Sequence, residues 1–267
     1  MKILSGSDLA DFIKERQAKA VRGLRQANSV QPKLAIVVTA DDPTIEIYTR
    51  LKKRYGADIL IDVDIHHVKQ REVTQLITAL NTDESVHAII VQLPLADPSA
   101  TSEVVNLVAP EKDVDALGDS SVYDAATPTA ILWLLAGYGV DFRDKKVVLV
   151  GRGKLVGAPL EFMLNNSGVN VTSCDENDDV EANVGEADIV ITATGKPGAL
   201  TSAMIPQGAV VVDAGVAVES GVTKGDLSED VYTRDDLTLT PKKGGVGPLT
   251  VCALFENVIR AAKLSAK

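Results

Sequence analysis

The sequence predicts an α/β protein of two lobes, each a parallel sheet with helices on its faces. Three observations carry this. Short β-rich runs alternate with longer stretches of helical spacing, in two successive series. Aromatics make up only 4% of the 267 residues, so the apolar load (45%) falls on Val, Ile, Leu and Ala, which suits strands buried on both faces. The second series opens on a glycine-rich turn set between a strand and a helix.

The opening "SGSDLADFIKERQAKAVRGLRQA" reads as a long first helix with Ser or Asp available as its N-cap. "KLAIVVT" (33–39), "DILIDVD" (58–64) and "HAIIVQL" (87–93) read as strands, with helical spacing over 43–56 and 70–82 between them. "TPTAILWLLAGYG" (127–139) is an apolar helix expected to bridge the halves, with Trp133 as packing. Four more buried strands follow in "KKVVLVG" (145–151), "VNVTSC" (169–174), "ADIVITAT" (187–194) and "GAVVVDAG" (208–215). A helix is expected to open near Val156, and the last one, "GPLTVCALFENVIRAAKL", starts after a glycine cluster. The expected lobes are residues 1–126, completed by the terminal helix 248–267, and residues 127–247. A cleft is expected between them, with ligands at the carboxyl ends of the strands.

Composition excludes several classes. With 27 basic against 37 acidic residues the net charge is -10, which disfavours a phosphate backbone, so no nucleic acid partner is expected. No segment approaches the roughly 20 apolar residues of a membrane span, and the N-terminus does not read as a signal peptide. Cys174 and Cys252 have no metal-like spacing, so no metal is expected and a reducing, cytoplasmic setting is. His66, His67 and His87 read as core or surface residues.

In "VVLVGRGKLVGAPL", Gly151 permits a tight turn after the strand, Gly153 has no Cβ to block a pyrophosphate, and Gly157 lets helix and strand pack closely. Arg152 and Val156 belong to the same turn, and the helix after it offers free N–H groups to phosphates. Asp175 ends the next strand, near the spacing of about 20 residues expected for a ribose-binding acid. This reads as a dinucleotide site; the alternative is glycines that only make turns.

Several stretches together resemble the bifunctional methylenetetrahydrofolate dehydrogenase/cyclohydrolase family: "YTRLK" (48–52), "VQLPL" (91–95), "PEKDVDA" (110–116), "GRGKLVGAP" (151–159), "ADIVITATGKPG" (187–198) and "GGVGPLT" (244–250). They occur in the family's order and span nearly the whole chain. The resemblance implies a parallel-sheet substrate lobe, a Rossmann-like cofactor lobe and a folate cleft between them. It implies oxidation of methylenetetrahydrofolate by NAD(P), then hydrolysis of the methenyl cation to formyltetrahydrofolate, in one-carbon metabolism feeding purine biosynthesis. A homodimer is also implied, through strands and helices of the cofactor lobe.

On a helix, Tyr48 and Lys52 stand one turn apart on one face. By resemblance Lys52 is the key cyclohydrolase group; near a cationic intermediate in a cleft its pKa should fall, so that the amine can help activate water. Tyr48 would stack on or bond near the folate ring. The bland reading puts Lys52 among the solvated Arg50, Lys53 and Arg54, with Tyr48 and Leu51 facing the core. Gln92 ends a strand before Leu93 and Pro94, and by resemblance it bonds the lysine. Asp113 and Asp115 flank Val114 in an extended-looking segment. The resemblance turns Asp115 to the pterin and leaves Asp113 structural, paired with Lys112 or a loop amide. It also sets Gly244, Gly245 and Pro248 beside the folate, and Thr194 and Gly195 beside the cofactor.

The chain departs from the family pattern at Ile45 (usually serine), Ala116 and Ala130 (usually glycine), Ala126 (usually cysteine), Gly153 (usually serine) and Lys242–Lys243. Cofactor choice is opposed: family precedent and Arg152 favour NADP, whereas Asp175 and Glu176 in "TSCDEND" favour NAD as a usable cofactor. The alternatives are another two-lobed NAD(P)-dependent dehydrogenase of the shikimate type, or a catalytically silent nucleotide-binding module. Lys52, Gln92 and Asp115 together argue against the silent module.

Overall fold

The computed structural model describes residues 2–219 and 222–265. In chain order the elements are β1 (Lys2–Ile3), α1 (Gly6–Ala27), β2 (Lys33–Val38), α2 (Pro43–Asp58), β3 (Asp62–His67), α3 (Val73–Thr82), β4 (Ala88–Val91) and α4 (Thr101–Val105). There follow α5 (Ala126–Gly137), β5 (Val147–Val150), α6 (Gly157–Asn166), β6 (Val171–Cys174), α7 (Val180–Val184), β7 (Ile189–Thr192) and β8 (Val210–Asp213). The chain ends with β9 (Ala217–Glu219), β10 (Val222–Lys224), β11 (Thr238–Leu239) and α8 (Val246–Ser265). It divides into two compact units, Asp11–Ala126 with Val251–Lys267, and Met1–Ala10 with Thr127–Thr250.

In the first of these units, a three-stranded parallel sheet runs in the order β3-β2-β4. Central β2 is apolar throughout after Lys33, and its Leu34, Ala35, Ile36 and Val37 are fully buried, as expected where helices cover both faces. The chain crosses from β2 to β3 on one side and returns to β4 on the other. The carboxyl ends of β2 and β4 therefore form a switch point, where loops diverge and leave room for a ligand. Asp42 starts α2: its carboxylate accepts from Thr44 N at 2.6 Å, with Pro43 next in the chain. The strand expected over 58–64 is displaced. The helix runs on to Asp58, Leu60 turns the chain at φ +66, and β3 begins only at Asp62. Ile59 and Ile61 are buried in this turn, so their apolar signal is real but not that of a strand.

The second unit carries a six-stranded parallel sheet ordered β1-β11-β8-β7-β5-β6. All four predicted strands are present, each shorter than its apolar run. The first ten residues correct the expected boundary, since they belong here and not with 11–126. The cause is edge pairing: Lys2 N donates to Leu237 O and Leu4 N to Leu239 O, at 3.0 and 2.9 Å, and the Leu4 side chain is fully buried. A two-residue strand has no periodicity to read. From Thr127 on, helix α5 is counted in this same unit, and its Ala130, Ile131, Leu134 and Leu135 are buried. Here β6 and β7 flank β5, which makes the end of β5 a second switch point.

Candidate functional site

Helix α2 turns Ile45, Thr49 and Gly56 to the core. Arg50, Lys53 and Arg54 are exposed, whereas Lys52 is partly buried, so one cation of the run is set apart. Leu51 is 51% exposed and Tyr48 39%, contrary to the core-facing alternative. Tyr48 and Lys52 thus share the helix face that is not packed.

Gln92 follows β4 directly, and its backbone N–H extends the sheet by donating to Val37 O at 2.9 Å. Its side-chain NH₂ donates to Leu93 O at 3.0 Å, which leaves the amide oxygen to accept from Lys52 Nζ at 2.7 Å. The lysine's partner is therefore an acceptor of fixed direction. The Leu93–Pro94 peptide is cis.

The segment around Asp115 is not extended. Asp113 makes an isolated bridge to Ile89, the chain then turns through Ala116 at φ +56, and Asp113 Oδ2 accepts from Gly118 N at 2.9 Å. Asp113 is thus the loop's internal anchor through a backbone amide. Lys112 instead donates to Leu80 O and Asp83 O, at 3.0 and 2.8 Å. The turn leaves Asp115 to interact with Lys52. Burial lowers the Lys52 ammonium from its ordinary value, and the Asp115 carboxylate partly opposes this. Burial likewise pushes Asp115 up, and Lys52 draws it back. Two desolvated groups, each supporting the other's charged form, make an amine that exchanges protons nearer neutrality than a surface lysine does.

The other predicted residues lie in the second unit. Gly151 has φ +101, and a Cβ there would stand 2.6 Å from Ala193 O; a Cβ on Gly157 would stand 1.9 Å from Gly151 O. Both glycines are therefore required by the turn itself. Gly153 differs, because a Cβ there would meet nothing within 4 Å, and its exposed backbone leaves room for a phosphate beside the start of α6. Val156 immediately precedes α6; Thr194 and Gly195 lie in the loop after β7, with the Thr194 backbone against the same turn. These residues fit a dinucleotide.

Arg152 is engaged by Glu161, its Nη2 standing 3.1 Å from Oε1. Asp175 Oδ1 accepts from Asn177 N and Nδ2, at 2.9 and 3.0 Å, and these bonds, with Arg152 nearby, hold its carboxyl low. Glu176 pairs with Lys196. Gly244 (φ +80) and Gly245 form the turn before α8, and Pro248 lies in that helix's first turn.

Sequence reasoning passed over Glu161 and the buried Asp226. Neither stands in a motif, and only the folded geometry brings them to the turn. Among the described residues no group of His, Cys, Asp and Glu could hold a metal ion, and no helix is long and apolar enough to cross a membrane. His87 Nδ1 accepts from Lys33 N at 3.2 Å, and His67 lies 3.7 Å from Glu46.

Comparison with known proteins also finds two domains, with the break near residues 115–125; it counts residues 4–10 with the first domain and the terminal helix with the second, unlike the two compact units of the fold. The sequence profile "Tetrahydrofolate dehydrogenase/cyclohydrolase, catalytic domain" matches residues 4–115, and the "NAD(P)-binding domain" profile of the same name matches 125–266. The bifunctional protein FolD of Francisella tularensis subsp. holarctica is 34% identical over 278 residues, covering 98% of this chain and 99% of that protein. The crystal structure of the bifunctional enzyme FolD from Campylobacter jejuni superposes with a TM-score of 0.92 at 32% identity, over 99% of each chain. The Trypanosoma brucei enzyme, solved with NADP cofactor and inhibitor, gives 0.91 at 28% identity, over 99% of this chain and 98% of that one.

Proposed function

Because the chain belongs to the tetrahydrofolate dehydrogenase/cyclohydrolase family, we infer that it oxidises methylenetetrahydrofolate with NAD(P)+ and hydrolyses the product to formyltetrahydrofolate. Neither a shikimate-type dehydrogenase nor a silent nucleotide module is favoured once both family domains match in order. The observation that carries the reading beyond family membership is the Lys52 Nζ–Gln92 Oε1 bond at 2.7 Å, with Asp115 coupled to the same amine.

The bound nicotinamide supplies a hydride acceptor. Gly151, Arg152, Gly153, Val156, Gly157, Asp175, Thr194 and Gly195 are the residues we assign to holding it. In the hydration step, a water oxygen bonds to the methenyl carbon and becomes the formyl oxygen. One of its protons passes to the ring nitrogen freed when the carbon–nitrogen bond opens, and the other goes to solvent. Lys52 with its lowered pKa is suited to relay these protons, and Gln92 aims it. Asp115 is assigned to anchoring the aminopyrimidine edge of the folate, and Tyr48 to facing its ring. Leu93 and Pro94 shape the approach, and the backbone of Gly244 and Gly245, with Pro248, is assigned a folate contact.

For the cofactor we propose that NAD is usable alongside NADP. A dianionic 2′-phosphate would meet the acids Asp175 and Glu176, while Arg152 and Lys196 are already engaged by Glu161 and Glu176. We further propose a homodimer through the cofactor unit, supported by the two-stranded β9–β10 ribbon, which leaves Val216, Val218 and Val222 about half exposed. Cys174 and Cys252, neither of them in a disulfide, suit a cytoplasmic setting.

The test is to supply methylenetetrahydrofolate with each cofactor and follow nicotinamide reduction. Turnover is expected with both cofactors. A strong NADP preference that persists in Asp175→Ser would mean that Asp175 does not face the ribose. Absence of turnover with either cofactor would sink the assignment.

A further inference from the structure

Asp226 is fully buried, yet its carboxylate is spent on the segment that follows β7. Oδ2 accepts from Thr192 Oγ1 and from Thr194 N, both at 2.7 Å, and Oδ1 accepts from Lys196 N at 3.0 Å. Two of these donors are backbone amides of the loop between Ala193, whose N–H donates to Val150 O, and Leu200, which bridges to Leu227. The site is built around this carboxylate on both sides. Asp213 Oδ1 accepts from Asp226 N at 3.0 Å, and its Oδ2 from Leu227 N at 3.1 Å. A Cβ on Gly215 would stand 2.0 Å from Asp226 Oδ1, and one on Gly225 would stand 2.1 Å from Asp213 Oδ2. Each glycine thus makes room for the other segment's acid.

The loop that Asp226 holds is the surface on which the glycine turn rests. A Cβ on Gly151 would lie 2.6 Å from Ala193 O and 3.1 Å from Thr194 N, so turn and loop are already in contact. A close-packed contact of this kind transmits a displacement of the loop to the turn. Three converging donors also require a group that only accepts. An asparagine would set an NH₂ against a donor on one side or the other.

We propose that Asp226 is a positioning residue of the cofactor site: through its bonds to Thr192, Thr194 and Lys196 it fixes the loop that backs the Gly151–Gly157 turn, and so sets cofactor affinity without touching the cofactor. This rests on the reading that the dinucleotide binds at that turn. It distinguishes Asp226 from an acid that only stabilises the core, because the effect should fall on one of the two reactions. Hydration of the methenyl cation uses no nicotinamide and serves as an internal reference.

The experiment compares full-length Asp226→Asn and Thr192→Val with the parent protein. The second variant keeps the side-chain volume and both loop amides, so it guards against loss of fold. Cofactor KM, dehydrogenase kcat at saturating cofactor, cyclohydrolase kcat/KM and melting temperature are measured. Asp226→Asn should raise cofactor KM on the order of tenfold or more, with a smaller rise in Thr192→Val and the cyclohydrolase rate unmoved in both. Lowered melting temperatures with unchanged cofactor KM, or equal losses in both reactions, would reduce Asp226 to a structural acid. Gly153→Asp tests the underlying reading, since a carboxylate in that open space should repel pyrophosphate. If it leaves cofactor KM unchanged, the cofactor location falls and the proposal with it; if it blocks the cofactor while Asp226→Asn does not, the proposal alone falls.

Discussion

At the scale of single residues, the pair Lys52 and Asp115 sets the expected pH behaviour. Burial depresses the Lys52 pKa, and the Asp115 charge holds it partly up. Asp115→Asn keeps the shape and removes the charge, so the ammonium loses its support and its pKa falls further. The acid limb of the cyclohydrolase pH–rate profile should therefore move to lower pH in the variant. A limb that stays in place, or moves to higher pH, would show that Lys52 is not the group being titrated. That Tyr48 and Lys52 share one helix face was legible in the sequence from their four-residue spacing. The separation of Lys52 from Arg50, Lys53 and Arg54 was not, because it depends on Gln92, forty positions away, and on a turn that points Asp115 inward. The pairing of Arg152 with Glu161, nine residues on, was invisible for the same reason.

At the scale of elements, the loop carrying Asp115 shows where one-dimensional pattern fails. Asp113, Val114 and Asp115 alternate as a strand would, yet the chain turns at Ala116, and the acids separate by hydrogen bonding rather than by pleat. Ala116 sits at φ +56, a left-handed conformation that costs a residue with a Cβ on the order of 1 kcal/mol. Ala116→Gly should raise stability by about half a kcal/mol or less, read as a slightly higher urea midpoint at unchanged slope, once the added flexibility of the unfolded chain is counted. A lower midpoint would mean that the alanine methyl packs usefully and outweighs the strain. The end of α2 fails differently, since buried Ile59 and Ile61 give the same apolar signal in a turn as in a strand. In the glycine turn, by contrast, Gly151 and Gly157 were legible, because they are dictated by backbone contacts that admit no other residue.

At the scale of the whole molecule, alternation of strands and helices was enough to give two parallel sheets. What it missed were the two-residue strands β1 and β11 and the β9–β10 ribbon, elements defined by pairing partners and not by their own composition. The ribbon bears on the proposed homodimer: if it forms there, Val218→Lys should shift the protein from dimer to monomer in sedimentation velocity, and a variant that sediments as the parent does would remove the ribbon from the interface. The central claim is that one chain carries two reactions and that Lys52 serves the second. Its most direct test is a single progress curve, with methylenetetrahydrofolate and NAD supplied to parent and Lys52→Met proteins, following reduced nicotinamide, methenyl and formyl products together. In the parent, formyltetrahydrofolate should appear in step with reduced nicotinamide. In the variant, hydride transfer should persist in part while hydration falls by about 10²–10⁴-fold, so that methenyltetrahydrofolate accumulates. Formyl product arriving at the parental rate from folded Lys52→Met would contradict the account and return Lys52 to the solvated face of its helix.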